Sequence, residues 1–125
     1  MPAPVDHLFV YGTLRRGCDN PFARLLSERG QFVCAARVRG RLYDFGAYPG
    51  ATRDGQPGET IRGEIFHLGE PGSLLAALDE YEGAEYERAI ATAGLDDGRA
   101  IDCWIYWYAG AAAGSVIASG DWLTG

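Results

Sequence analysis

The chain has 125 residues, 47% of them apolar and 12% aromatic, and a formal charge of −6 at pH 7. That is enough for one hydrophobic core and short for two, so one domain over residues 1–125 is expected. Its basic residues are all arginines and are scattered, which argues against the clustered positive face that a nucleic-acid partner requires.

The opening MPAPVDHLFVYG lacks the charged n-region and the apolar run of a signal peptide, and no later run approaches membrane-spanning length. A cytoplasmic protein with no membrane partner is expected. His7 to Tyr11 combine β-branched and aromatic residues and predict a strand. Gly12 ends it, because glycine reaches backbone angles closed to other residues and lets another group approach the main chain. The N–H groups of Gly12, Thr13 and Leu14 then lack strand partners, and such a turn is either a plain surface bend or a small anion-binding nest. Arg15 and Arg16 follow and read as the charges of a solvated loop, attraction of an anionic ligand being the alternative.

In NPFARLLSERG, Asn20 is an N-cap, Pro21 a first helical residue and Gly30 a stop, with Phe22, Leu25 and Leu26 at helical spacing. QFVCAARVRGRLYDFG divides at Gly40 into two extended segments, and ETIRGEIFHLG alternates into another strand. Between them AYPGATRDGQPGE, residues 47–59, is dense enough in proline and glycine to read as a loop. A second helix starts near Pro71 and ends before Gly83, with Leu74, Leu75, Leu78 and Tyr81 as its buried stripe. YERAIAT turns through GLDDGR into the aromatic AIDCWIYWYAG, a central strand, and GSVIASGDW closes the chain as a strand or a helical turn. The expected class is α+β: a small curled or barrel-like sheet in mostly hairpin-like order, with two short helices.

Cys18, Cys34 and Cys103 are odd in number, widely spaced and outside any CxxC pair, so they read as reduced, packed thiols. His7 and His67 lie in strand-like stretches without ligand spacing and read as strand-face side chains. No metal and no cofactor are expected.

The second helix carries an anomaly. At about 100° per residue, with Leu78 at the centre of the apolar stripe, Glu82 falls about 40° off centre, inside it, while Asp79 lies at its edge and Glu80 on the opposite face. A carboxylate aimed at a core is expensive unless it is paired or lines a cavity. Desolvation and the negative end of the helix dipole both push its pKa up, which makes Glu82 a candidate base. The plain alternatives are a helix that ends one residue early, or an arginine such as Arg88 folding over to pair with it.

YGTLRRG and the following NP at residues 11–21, with LDEYEGAEYER at residues 78–88, resemble the γ-glutamylcyclotransferase-like superfamily. LYDFGAYPG and the terminal SGDW are similar to that family's other motifs, so the likeness spans the chain. The resemblance implies a small mixed β-barrel with a pocket, a floor formed by Tyr11, Gly12, Thr13 and Leu14, and Glu82 as general base and acid. It also implies the reaction: the α-amine of a γ-glutamyl compound attacks its own γ-carbonyl, closing 5-oxoproline and expelling an amine or amino acid, without a metal. Tyr48 and Tyr108 are further candidates to line the pocket and bind substrate, core packing being the alternative for each. Asp121 and Trp122 are expected to anchor the tail beside the loop. The rival reading is a small-molecule-binding protein that keeps the pocket and performs no chemistry.

Overall fold

In β1 (His7–Val10), Leu8 and Val10 are buried on one side and Phe9 on the other. A strand with two apolar faces must be covered on both. One cover is the interior of a closed five-stranded barrel; the other is a pair of helices. The computed structural model that shows this describes residues 5–46, 48–53, 55, 58–69, 71–110 and 114–122. The chain runs β1, α1 (Pro21–Arg29), β2 (Gln31–Arg39), β3 (Arg41–Asp44), β4 (Pro49–Thr52), β5 (Thr60–His67), α2 (Pro71–Glu82), β6 (Tyr86–Leu95), β7 (Ala100–Tyr108) and β8 (Ser115–Val116).

The barrel order is β1-β5-β2-β6-β7, closed by a parallel pairing of β1 with β7 at Leu8 and Trp104. A second sheet, in the order β4-β3-β8, flanks it. The α+β barrel class holds, but the hairpin-like strand order does not. Only β6 and β7 are sequence neighbours within the barrel, because alternation along a strand reveals which face is buried and not which strand lies beside it. The Pro/Gly-rich segment also differs from expectation: Pro49–Thr52 pairs with Arg41–Asp44 as β4. Residues 47, 54, 56 and 57 of that segment, and the first four of the chain, lie outside the described residues. The ambiguous tail resolves into β8 followed by a turn.

Inside the barrel, Phe9, Ile61, Ile65, Cys103 and Ile105 are fully buried. Under the helices, Leu8, Val10, Leu26, Leu74, Leu78 and Tyr106 form a second cluster. The three cysteines are free thiols, and burial pushes the Cys103 thiol up to about 12.

Both helices are fixed at the ends that matter for the site. Asn20 Oδ1 accepts the N–H groups of Phe22 and Ala23, while its Nδ2 donates to the Thr13 carbonyl at 2.8 Å. One side chain therefore caps α1 and tethers the loop after β1. Asn20→Ala is expected to lower unfolding free energy by about 1–2 kcal/mol, read by denaturant titration. Asn20→Asp keeps the cap and lacks the Nδ2 donor, so its smaller loss isolates the tether. At the other end, α2 stops because Gly83 adopts φ +82 and donates its N–H to the Asp79 carbonyl. Glu82 is thus the last helical residue.

Candidate functional site

The β1 ladder stops for a physical reason. Beyond Glu64, the edge of β5 is taken by the tail: the Arg62 N–H donates to the Gly120 carbonyl at 2.7 Å. The chain after Val10 therefore leaves the sheet. No hydrogen bond among the described residues uses the N–H of Gly12, Thr13 or Leu14, and the turn is closed by Arg15 N–H donating to the Gly12 carbonyl at 3.1 Å. Gly12 does not adopt positive φ, contrary to the expectation of a special backbone angle. Glycine is needed for close approach instead: a Cβ there would meet Pro49 Cγ at 2.7 Å and Cδ at 2.9 Å.

This turn borders a cavity of about 380 Å³, a size suited to a small metabolite. Its walls come from the end of β1 and the turn (Phe9 to Leu14), from Tyr48 and Pro49, from Tyr81, Glu82, Glu85 and Tyr86 around the end of α2, and from Tyr106. The sequence-predicted Tyr11, Gly12, Thr13, Leu14, Tyr48 and Glu82 meet here, although they come from three separate stretches of chain.

Glu82 is partly buried, and among the described residues its carboxylate has no hydrogen-bond or ion-pair partner. Desolvation alone pushes its pKa up to about 7. The arginine that sequence analysis set as a rival partner is engaged elsewhere. Arg88 binds Asp79 in bidentate fashion at 2.7 and 3.0 Å, and the Tyr106 hydroxyl donates to the same carboxylate at 2.7 Å. Burial works to raise the Asp79 carboxyl, but those hydrogen bonds outweigh it and hold the group below its ordinary value. Two carboxylates three residues apart are thereby driven in opposite directions, a sign of separated roles.

The tyrosines divide by the state of their hydroxyls. Tyr11 donates to the Tyr106 carbonyl and accepts from the Ala51 N–H, so it pins β1, β4 and β7 together. Burial pushes its pKa well up, and the Glu82 charge adds to that. Tyr81 shares a 2.8 Å hydrogen bond with Thr13 Oγ1 and stacks on Phe22 at 4.5 Å, which ties the turn to both helices. Tyr86 donates to the Pro49 carbonyl at 2.8 Å, and Tyr48 is 40% exposed at the mouth.

Tyr108 is a correction. It packs on Phe45 at 4.6 Å and Tyr86 at 5.5 Å, outside the cavity wall, and Tyr106 takes the position expected of it. The two share one face of β7, but only Tyr106 lies opposite α2. Glu85 and Tyr86, which sequence reasoning missed, carried a usable signal: they follow within three residues of the glycine that ends α2.

Arg15 also departs from expectation. Its side chain is 12% exposed, donates to Asp121 Oδ1 at 2.8 Å and lies 3.6 Å from Glu64 Oε2. Glu64, a buried acid, further accepts the Arg16 N–H at 2.8 Å. Asp121 thus anchors the tail beside the turn, as expected, through an arginine that is not solvated.

Residues 8–124 match the family described as gamma-glutamyl cyclotransferase, AIG2-like. A Vibrio cholerae protein named "Putative gamma-glutamylcyclotransferase" is 37% identical over 121 residues, covering 94% of this chain and 96% of that protein. YkqA from Bacillus subtilis superposes with a TM-score of 0.76 at 28% identity, over 94% of this chain and 39% of YkqA, so this chain spans about two-fifths of that protein. An AIG2-like protein from Mus musculus superposes with a TM-score of 0.69 at 26% identity, over 85% of this chain and 79% of its own. On its motifs, its barrel and these matches, the chain belongs to the gamma-glutamyl cyclotransferase, AIG2-like family.

Proposed function

We propose that the protein cyclises γ-glutamyl compounds, releasing 5-oxoproline and a free amine, with Glu82 moving the proton. The observation that carries this reading is an unpartnered carboxylate on the wall of a cavity that is also bordered by a turn whose amides are free among the described residues. Glu82 takes a proton from the substrate α-ammonium, and the freed amine attacks the γ-carbonyl carbon. Glu82 returns the proton to the leaving nitrogen as its bond to carbon breaks. The ring nitrogen then sheds its second proton through the same carboxylate to the released amine, so that the lactam is neutral and the amine leaves as an ammonium ion.

An α-ammonium has a pKa near 8, so transfer to an ordinary glutamate is uphill by about 5 kcal/mol, and transfer to a carboxyl at about 7 by only about 1.4 kcal/mol. Holding the amine against the carbonyl contributes on the order of 7–11 kcal/mol, so the shape of the cavity outweighs the tuning of the base. The N–H groups of Gly12, Thr13 and Leu14 supply capacity to hold an anion, each oxyanion donor being worth roughly 3–4 kcal/mol. Tyr11, Tyr48, Tyr81, Tyr86 and Tyr106 shape the walls. The free thiols are consistent with a reducing, cytoplasmic setting.

The wall also favours one class of leaving group. It carries Glu82 and Glu85, and among the described residues no arginine lines it. A neutral or cationic amine fits this field better than an acidic amino acid. Incubation with γ-glutamyl dipeptides, γ-glutamyl alkylamines and γ-glutamyl-lysine isopeptide, with 5-oxoproline as the readout, is expected to give product, and kcat/KM should be highest for leaving groups that bear a positive charge. Glu85→Lys should narrow that preference several-fold. Absence of 5-oxoproline from every compound would overturn the reading in favour of a binding protein.

A further inference from the structure

We propose that Asp6, His7 and His67 form a binding site for a borderline divalent transition-metal ion, with Zn²⁺ as the reference case. His7 and His67 are direct partners in the antiparallel β1–β5 register, so their side chains stand side by side on one face, with ring centroids 5.0 Å apart. Asp6, just before β1, is held in place by the Leu68 N–H donating to its carbonyl at 2.8 Å. Its two carboxylate oxygens lie 2.9 Å from His7 Nδ1 and 2.9 Å from His67 Nε2.

One potential ligand atom from each of the three residues falls within 4.8 Å of the others. Two donors on a tetrahedral ion with bonds of about 2.0–2.1 Å stand about 3.4 Å apart. The aspartate–histidine separations therefore need to open by about half an ångström, and the two imidazole nitrogens, within 4.8 Å of each other, need to settle at the same spacing. Two imidazoles and one carboxylate suit Zn²⁺, Co²⁺ or Ni²⁺, and are poorly matched to the all-oxygen preference of Mg²⁺ or Ca²⁺. The side chains are 22%, 39% and 41% exposed, so an ion reaches them from solvent and retains water in its remaining position.

The cluster sits at the start of β1, about 15 Å of extended chain from the Gly12 turn. Its effect is to clamp the first strand to β5, and its test needs no substrate. The full chain, stripped with a chelator, is titrated with Zn²⁺ by calorimetry and with Co²⁺ by absorption. One ion per chain is expected, with cobalt d–d bands and no sulfur-to-cobalt charge transfer, and with a Tm that rises on Zn²⁺ addition.

His67→Ala and Asp6→Ala are each expected to weaken binding more than about tenfold, since losing an outer-shell partner alone costs 10–100-fold. Asp6→Ala, on a partly exposed residue before the strand, keeps the test decisive if His67→Ala fails to fold. Binding unchanged in the variants, sulfur charge-transfer bands that place the ion on a cysteine, or no saturable binding would each overturn the proposal and leave the cluster a hydrogen-bonded clasp.

Discussion

Glu82→Gln is expected to lower the rate of 5-oxoproline formation by about 10²–10⁴-fold, the usual contribution of a positioned acid–base group, while leaving the fold intact. Glutamine keeps the size and polarity of the side chain and removes the proton acceptor. Because the carboxyl is pushed up to about 7 and the substrate ammonium has a pKa near 8, the wild-type kcat/KM should fall tenfold per pH unit below about 7 and fall again above about 8, where the substrate no longer brings the proton that Glu82 passes on. The residual activity of the variant should lose this acid limb. A variant that turns over at the wild-type rate would remove Glu82 from the chemistry.

Stability offers a second readout of the same group, with the opposite sign. The folded-state pKa of Glu82 lies above its ordinary value, so the folded protein holds this proton more tightly than the unfolded chain does. That contribution is fully present below about pH 4.5 and is lost as pH rises through about 7. At pH 8 the ionised carboxylate then costs on the order of 3 kcal/mol. Glu82→Gln should therefore be more stable than wild type at pH 8 and about equal to it near pH 4.5, as measured by denaturant unfolding at both values. A variant that is catalytically impaired and also stabilised at pH 8 marks a residue kept for function.

How much of this was legible in the sequence depends on the range of the interaction. Glu82 was legible because a helix repeats its own geometry: the angle to Leu78 is fixed by four residues of chain. The choice between a free and a neutralised Glu82 was not, because it rests on where β6 sets Arg88, and strand placement is a tertiary fact. Arg88 reaches Asp79 instead. Gly12 was legible as a special position, but its cause, contact with Pro49 of β4, lay in a segment that reads as loop. Tyr106 and Tyr108 share a face and a residue type, and only the end of α2 separates them. His7 and His67 are 60 positions apart in sequence and adjacent in register, which spacing rules do not detect.

Arg15 shows the same limit, and it leads to the second large effect. Arg15→Ala is expected to lower unfolding free energy by about 3 kcal/mol, because removing one member of a buried ion pair leaves the other charge desolvated. Glu64 would retain the Arg16 N–H at 2.8 Å, with the Arg16 guanidinium 3.9 Å away and itself 56% exposed. Its carboxylate, 8% exposed, would have lost the cation nearest to it. For a chain of this size such a loss should reduce Tm by about 10 °C.

Arg15 also links the turn to Asp121, so the amides of Gly12 to Leu14 should lose their fixed position, and turnover should drop at temperatures where the variant is still folded. Glu64→Gln separates the two contributions. It removes the buried charge but keeps a group that can accept the Arg16 N–H, so it should recover part of the stability when combined with Arg15→Ala. A double variant no more stable than Arg15→Ala alone would mean that the tail, and not the buried pair, is what Arg15 holds in place.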